Sequence, residues 1–453
     1  MVIVSNRLPV SLKEGAEGIK VSRAVGGVAT TLDAVAKSYG AYWVGWSGLP
    51  KVLSVAQLAA VRLPHGCVPV QAGADLIRRY YDRFSNQLLW PRLHGMPTSF
   101  KPEQRDWEAY QDMNRRFAHE VTRALRSADD LIWVHDYHLM LLPQYLRDEG
   151  VENRIGFFLH TPMAPAKDMI GLPHIRQLLA GLTAADVVGF QTKRDMLYFD
   201  QLLRLTGIKP RGRAGVFPIG TDAVAYQQAA ARPSVLRRIG ELRKQTNGRK
   251  VIFSLSRLDY TKGILTQLQA VERFLGSRPH PEQWLYKLVV APSREQLGEY
   301  RNLKSKIEHA VKRINQKLKI PGWQPVDYSY ENLGFEDVVA WYKTADMLLL
   351  LPDMDGMNLI AKEYVAARGR EAGLLVLSKN IGSALQLTDA LLVEPGDAEA
   401  AVQALAYAES MPDAEQQRRW QALSAVVEEQ DVFWWADIFL SRLIGRVPVR
   451  TGA

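Results

Sequence analysis

Arg257 and Lys262 flank the stretch Leu258-Asp259-Tyr260-Thr261, directly after an apolar run at residues 250–256. Arginine presents a planar fork of donors and lysine a compact point charge, so the two together suit a pyrophosphate. A second stretch of this kind, Asp353-Met354-Asp355-Gly356-Met357-Asn358-Leu359, lies between apolar residues 347–351, closed by Pro352, and helix formers that run through Tyr364. A strand there hands over to a helix N-terminus, whose unpaired N–H groups favour an anion. The amides of Gly356, Met357, Asn358 and Leu359 are candidates to hold a phosphate or a sugar hydroxyl, and Asp355 is a candidate to accept a hydroxyl proton. Glu363, about one to two turns along that helix, reaches a second part of the same ligand.

Other chemistry-bearing residues sit at the ends of further apolar runs. Arg7 closes the run at residues 2–5, His135 and Asp136 that at 131–136, His160 that at 154–160, and Arg294 that at 286–292. Gly26 and Gly27 precede a helical pattern through Ala36, where backbone can approach a phosphate closely. Tyr81 and Trp90 belong to an aromatic cluster with polar tips, the type of surface on which a sugar ring stacks. Each has a plainer alternative: a surface ion pair, an ordinary glycine turn, core packing, a structural histidine. Asp353-x-Asp355-Gly also resembles the nucleophile motif of haloacid-dehalogenase-type phosphatases, but that fold begins with this strand, and only about a hundred residues follow it here.

What must position these residues is a set of short apolar runs alternating with helix-like segments, the pattern of a parallel sheet buried on both faces. In such sheets ligands bind beyond the carboxyl ends of the strands. Residues 216–222 combine Pro and Gly after a basic loop and read as a hinge, beyond which the alternation starts afresh. The stretches before Ala24 and between Trp46 and Tyr80 read as polar or loop-rich. Residues 301–319 form a basic amphipathic helix, and aromatic residues 433–443 a last helix.

The chain has 453 residues, room for two or three domains. Its formal charge of +9 is not accompanied by zinc-finger spacing or an RNA-binding aromatic motif, and suits phosphorylated small molecules as well as it suits nucleic acid. No apolar run approaches the ~20 residues needed to span a bilayer. The first residues already read as a strand and not a signal peptide. Cys67 is the only cysteine, which excludes an internal disulfide or cysteine cluster and points to the cytoplasm.

Taken in order, the motifs are VSNR ending at Arg7, the glycine pair, GWSG from Gly45, YYDRFSNQLLWP from Tyr80, WVHDYHL from Trp133, RIGFFLHTP from Arg154, GFQT from Gly189, SRLDYTKG from Ser256 and DGMNLIAKEY from Asp355. This series resembles the trehalose-6-phosphate synthases, retaining GT-B glycosyltransferases. The resemblance implies an α/β fold of two Rossmann-like domains facing across a cleft, an acceptor-binding domain at 1–222 and a nucleotide-sugar domain at 223–430, with a terminal helix at 431–453 packing back on the first. It implies transfer of glucose from a nucleotide-glucose, UDP-glucose foremost, to glucose 6-phosphate, without metal or other cofactor. By motif, Arg257 and Lys262 would bind the donor diphosphate and Gly27 would close over it. Asp355 with the amides of Gly356, Met357, Asn358 and Leu359 would hold donor glucose and diphosphate, Glu363 the ribose, and His160 the donor sugar. Arg7 and Arg294 would grip the acceptor phosphate, with Tyr81, Trp90 and Asp136 around the acceptor glucose. His160, Arg257, Lys262 and Asp355 would be the catalytic set, none of them a nucleophile.

Some positions depart from the pattern. Asp353-Met354 stands where leucine-arginine is usual, Met163-Ala164 where phenylalanine-proline is, and Gln386 where glutamate is common. The glucosylglycerol-phosphate synthases share much of the pattern but depart around the first strand, so Ser5-Asn6-Arg7 favours glucose 6-phosphate as acceptor. A silent sugar-phosphate-sensing homologue is the non-enzyme alternative. Partners are expected to be the two substrates, with a homo-oligomer possible and neither nucleic acid nor membrane.

Overall fold

The structure, a computed structural model, describes residues 1–15, 18–23 and 27–446. Its chain divides into two compact units, one made of Met1–Ile219 with Val432–Ala453 and the other of Gly220–Asp431.

The first unit contains strands β1 (Val2–Arg7), β2 (Val10–Gly15), β3 (Gly18–Arg23), β4 (Tyr42–Trp46), β5 (Cys67–Val70), β6 (Ile132–His135), β7 (Ile155–Leu159), β8 (Val187–Phe190) and β9 (Arg213–Val216). Seven of them form a parallel sheet in the order β5-β4-β1-β6-β7-β8-β9. Every residue of β6, β7 and β8 is buried, which is why these strands read as unbroken apolar runs. The terminal helix Val432–Ile444 covers this sheet, with the Phe439 ring stacked on Trp133 at a centroid distance of 4.7 Å.

The second unit contains β10 (Lys250–Arg257), β11 (Trp284–Ala291), β12 (Val326–Tyr330), β13 (Met347–Leu350), β14 (Leu374–Ser378) and β15 (Leu391–Val393), ordered β12-β11-β10-β13-β14-β15. All five pairings are parallel. Side chains alternate between two cores. Val251, Phe253, Leu348 and Leu350 join one cluster, whereas Ile252, Met347 and Leu349 join another. With a period of two, that partition puts a helical layer on each face of the sheet.

Five strands depart from the sequence reading. The polar stretch after Arg7 is an antiparallel hairpin, β2 with β3. Residues between Trp46 and Tyr80 include β5, an edge strand that tolerates Pro69 because its outer side makes no ladder. The last two, β9 and β12, are also edge strands, only partly buried, so they lack the apolar run that marks their neighbours.

Strand order supplies what the sequence does not. Connections leave β1 toward β4 on one side, while β6 lies on the other, so the order reverses between β1 and β6. In the second sheet it reverses between β10 and β13. Ligands in open α/β sheets bind at such switch points, beyond the strand ends.

Candidate active site

In the first unit the switch point brings Arg7, at the end of β1, beside Asp136, just past β6. Pairing of β1 with β4 shifts register between Val4 and Arg7. The Arg7 guanidinium lies 4.0 Å from the centroid of the Trp46 ring and 5.6 Å from that of Tyr81. Tyr81 in turn stacks on His138 at 5.6 Å, His138 touches Tyr137, and Tyr137 meets Trp90. Arg7, Tyr81 and Trp90 thus belong to one continuous cluster of rings, in which Trp46, Trp90, Tyr137 and His138 are buried. Sequence reasoning set Trp46 and His138 within motifs but gave neither a site role, since their places as ring neighbours appear only in three dimensions.

Tyr81 rides on an unusually wide helix, Arg78–Leu89, of π type, where the Trp90 amide donates to the Ser85 carbonyl. Such turns are rare and concentrate at functional sites. Gly48 has φ +89°, and a methyl group there would lie 2.5 Å from Arg7 Nη1. Gly48→Ala should therefore push the guanidinium off Trp46 and raise the KM for the acceptor by about three- to thirtyfold while sparing that for the donor, a split that steady-state kinetics reads directly.

His160 follows β7. Its amide donates to Asp136 Oδ1 at 3.3 Å, and its Nε2 lies 3.1 Å from His135 Nδ1. Burial pushes His160 down to about 3, and burial followed by the His160 charge holds His135 well below its usual value. Both rings are neutral at pH 7, with one N–H between them, so His160 offers a sugar a polar ring without charge. Gly27 opens the helix Gly27–Ser38; Ala24, Val25 and Gly26 lie outside the described residues.

In the second unit the switch point gathers Arg257, Lys262 and Asp355. Lys262 Nζ is 2.6 Å from Asp355 Oδ2, which also accepts from Asn358 Nδ2 at 3.2 Å. Lys262 ends the turn Tyr260–Lys262, and Gly263 follows at φ +60°, where a methyl group would lie 1.8 Å from the Leu351 carbonyl. That turn is pinned against the end of β13. Arg257 is exposed at the end of β10. The helix Leu359–Arg368 begins after Asn358, which is left-handed at φ +65° and makes no side-chain cap, so its side chain does not occupy the first-turn amides that the anion argument needs.

Glu363 is buried in this helix, at 7% exposure, and accepts from the Tyr342 hydroxyl at 2.9 Å. Burial raises its carboxyl, opposed by the hydroxyls of Tyr342 and Tyr226. Those two tyrosines, distant in sequence, orient the carboxylate assigned to the ribose. Arg294, past β11, is left-handed at φ +50°. Among the described residues five non-glycines have positive φ, and three of them, Asp136, Arg294 and Asn358, are site candidates. Strain of this kind collects at ligand-binding positions. Buried polar atoms without a partner also collect at these strand ends: Ser256 Oγ, Asn358 Oδ1, Ser378 Oγ and Ser383 Oγ in the second unit, His160 Nδ1 and Thr161 Oγ1 in the first. Ser256 and Thr161 lie within motifs of the sequence but were given no role there, and Ser378 and Ser383 gave no signal.

The departure at Gln386 has a physical consequence. Lys362, 1% exposed, donates to Gln386 Oε1 at 2.7 Å, and burial pushes its amine down to about 7 from the usual 10.5. Between pH 7 and 10.5 the unfolded chain binds a proton that the folded chain does not, so this group's contribution to stability is full above 10.5 and is lost as pH falls to 7. Gln386→Glu sets a carboxylate against the ammonium and should stabilise the fold at pH 7 by about 1–3 kcal/mol, with the gain fading above pH 10 in urea unfolding.

The family model for glycosyltransferase family 20 matches residues 1–444. A bifunctional trehalose-6-phosphate synthase/phosphatase of Thermoproteus tenax is 37% identical over 99% of this chain, which spans 64% of that relative's length. An alpha,alpha-trehalose-phosphate synthase [UDP-forming] of Aspergillus fumigatus is 35% identical over 98% of this chain and 90% of its own. Among solved structures, the UDP-forming synthase of Burkholderia xenovorans in complex with glucose-6-phosphate matches with a TM-score of 0.88 and 32% identity, over 98% of this chain and 99% of that one. An E. coli structure bound with UDP-2-fluoro glucose matches with a TM-score of 0.87 and 31% identity, over 99% of this chain and 100% of the other. The α/β fold of two Rossmann-like halves expected from the sequence is the one observed, and it is shared with these GT-B enzymes. On the full-length match and the shared fold together, the chain belongs to glycosyltransferase family 20.

Proposed function

We propose that this protein is a retaining glucosyltransferase that moves glucose from UDP-glucose to glucose 6-phosphate, forming α,α-trehalose 6-phosphate and UDP. The observation that carries the reading is the group at the second switch point: Lys262 paired with Asp355, Arg257 at the end of β10, and an uncapped helix N-terminus. Cations and uncapped first-turn amides suit a diphosphate, and a carboxylate next to them suits a sugar hydroxyl. Similarity to UDP-forming synthases supports the choice of donor.

In this reading Arg257, Lys262 and the amides of Gly356, Met357, Asn358 and Leu359 stabilise charge that builds on the leaving diphosphate as the glucose becomes oxocarbenium-like. Gly27 closes over the diphosphate. Asp355 and His160 orient the donor glucose, and Glu363 holds the ribose. Arg7 and Arg294 bind the acceptor phosphate, while Tyr81, Trp90 and Asp136 surround its sugar. The acceptor hydroxyl attacks from the face the diphosphate leaves, and the leaving phosphate oxygen takes its proton, so configuration is retained without a side-chain nucleophile. Among the described residues no helix is long and apolar enough to cross a membrane. The single cysteine supports a reducing, cytoplasmic setting.

The test is nucleoside diphosphate release from UDP-, GDP- and ADP-glucose, each with glucose 6-phosphate, glycerol 3-phosphate or no acceptor, in excess EDTA. Release from UDP-glucose that depends on glucose 6-phosphate and survives EDTA is the expected result. Preference for glycerol 3-phosphate would reassign the acceptor, and silence with every pair from folded protein would reject the reading.

A further inference from the structure

Asp259 is 1% exposed and lies between the two cations that the functional reading gives to different substrates, Lys262 and Arg294. Its two oxygens divide the work. Oδ1 accepts from the Thr261 amide and the Thr261 hydroxyl, each at 3.0 Å, and so shapes the turn that ends in Lys262. Oδ2 accepts from Arg294 Nη1 at 3.2 Å and from the Tyr300 hydroxyl at 3.3 Å, while Arg294 Nη1 donates to the Tyr300 oxygen at 2.6 Å. These groups close a triangle around the guanidinium, whose side chain is only 6% exposed. Asp259 and Arg294 lie just past the ends of neighbouring strands, where Arg257 of β10 pairs with Ala291 of β11. Burial works to raise the Asp259 carboxyl, but the charges of Arg294, then Lys262, then Arg257 outweigh it, so the group stays ionised. One buried anion thus faces all three cations.

We propose that Asp259 is a positioning residue for both substrates: through Oδ2 it aims Arg294 at the acceptor phosphate, and through Oδ1 it holds the turn that carries Lys262 to the donor diphosphate. This rests on the function proposed above. A strained residue such as Arg294, at φ +50°, keeps its geometry only where its surroundings over-determine it, and the Asp259–Tyr300 pair does so. Chemistry separates the two arms. In Asp259→Asn the amide oxygen keeps the Thr261 amide as donor, while the amide nitrogen turns N–H groups toward Arg294 and Tyr300, where two donors already stand.

The experiment is titration calorimetry of full-length wild type and variants with glucose 6-phosphate and, separately, UDP, each variant checked for folding by thermal unfolding. Asp259→Asn should weaken glucose 6-phosphate by about tenfold or more and leave UDP unchanged or tighter, because Arg257 and Lys262 lose a counter-charge. Asp259→Ala should weaken both. Tyr300→Phe, which keeps the ring and removes only the hydroxyl on Arg294, should weaken glucose 6-phosphate by about threefold or more without affecting UDP, and stands in if Asp259→Asn does not fold. Equal weakening of both ligands in Asp259→Asn, the mark of a merely structural role, would overturn the proposal, as would wild-type glucose 6-phosphate affinity in Tyr300→Phe. Wild type that binds neither ligand would reject the functional reading and this inference with it; wild type that binds both, with no split in the variants, rejects this inference alone.

Discussion

Lys262→Ala is expected to lower kcat by about one to three orders of magnitude, the range for losing one charge contact to a developing anion. Two features make the effect fall on turnover and not on binding alone. Lys262 is held in place before any ligand arrives, by its 2.6 Å pair with Asp355 and by Gly263, which seats its turn against the Leu351 carbonyl. A donor diphosphate then shares Nζ with Asp355, and its negative charge grows as the glucosyl bond breaks, so the contact strengthens toward the transition state. In the alanine variant Asp355 keeps Asn358 as a donor but loses its counter-charge. Its carboxylate then repels the leaving phosphate. Both effects lower kcat at saturating substrates, measured as UDP release. Near-normal turnover would remove Lys262 from the transition state.

Arg7→Ala should raise the KM for glucose 6-phosphate by about ten- to a hundredfold, the equivalent of one charge-assisted hydrogen bond, and leave the KM for UDP-glucose unchanged. The guanidinium is pre-organised by Trp46, 4.0 Å away, and by the space Gly48 leaves, so little ordering remains to be done on binding. Arg7→Lys should recover only part of the loss. An ammonium keeps the charge but neither the flat stacking face nor the paired donors. An acceptor KM that does not move in Arg7→Ala would take Arg7 out of the site.

These residues were legible in the sequence for one reason: each lies at or a few residues past the end of a short apolar run. Buried parallel strands announce themselves, and a polar residue at their carboxyl end stands out against the run. Where a strand is at an edge and half-exposed, as β9 and β12 are, that contrast disappears, and the hairpin β2–β3 reads simply as polar chain. Strand order was not legible at all, since no local pattern says that β6 lies beside β1 or β13 beside β10. Yet that order creates the two switch points. The supporting residues were hidden for a related reason. Asp259 and Arg294, or Glu363 with Tyr226 and Tyr342, meet through the sheet and not along the chain. Left-handed backbone at Asp136, Arg294 and Asn358 likewise has no signature in the residue types alone. The departures Asp353-Met354 remain conspicuous in sequence. Burial raises the Asp353 carboxyl, and nothing in the structure explains why methionine stands at 354.

The most direct test of the central claim is proton NMR of the product formed from UDP-glucose and glucose 6-phosphate. A single non-reducing disaccharide phosphate, with both anomeric protons showing the small coupling of α linkages, is the predicted result. A β-linked product, or free glucose released by hydrolysis, would contradict transfer with retention to the acceptor sugar.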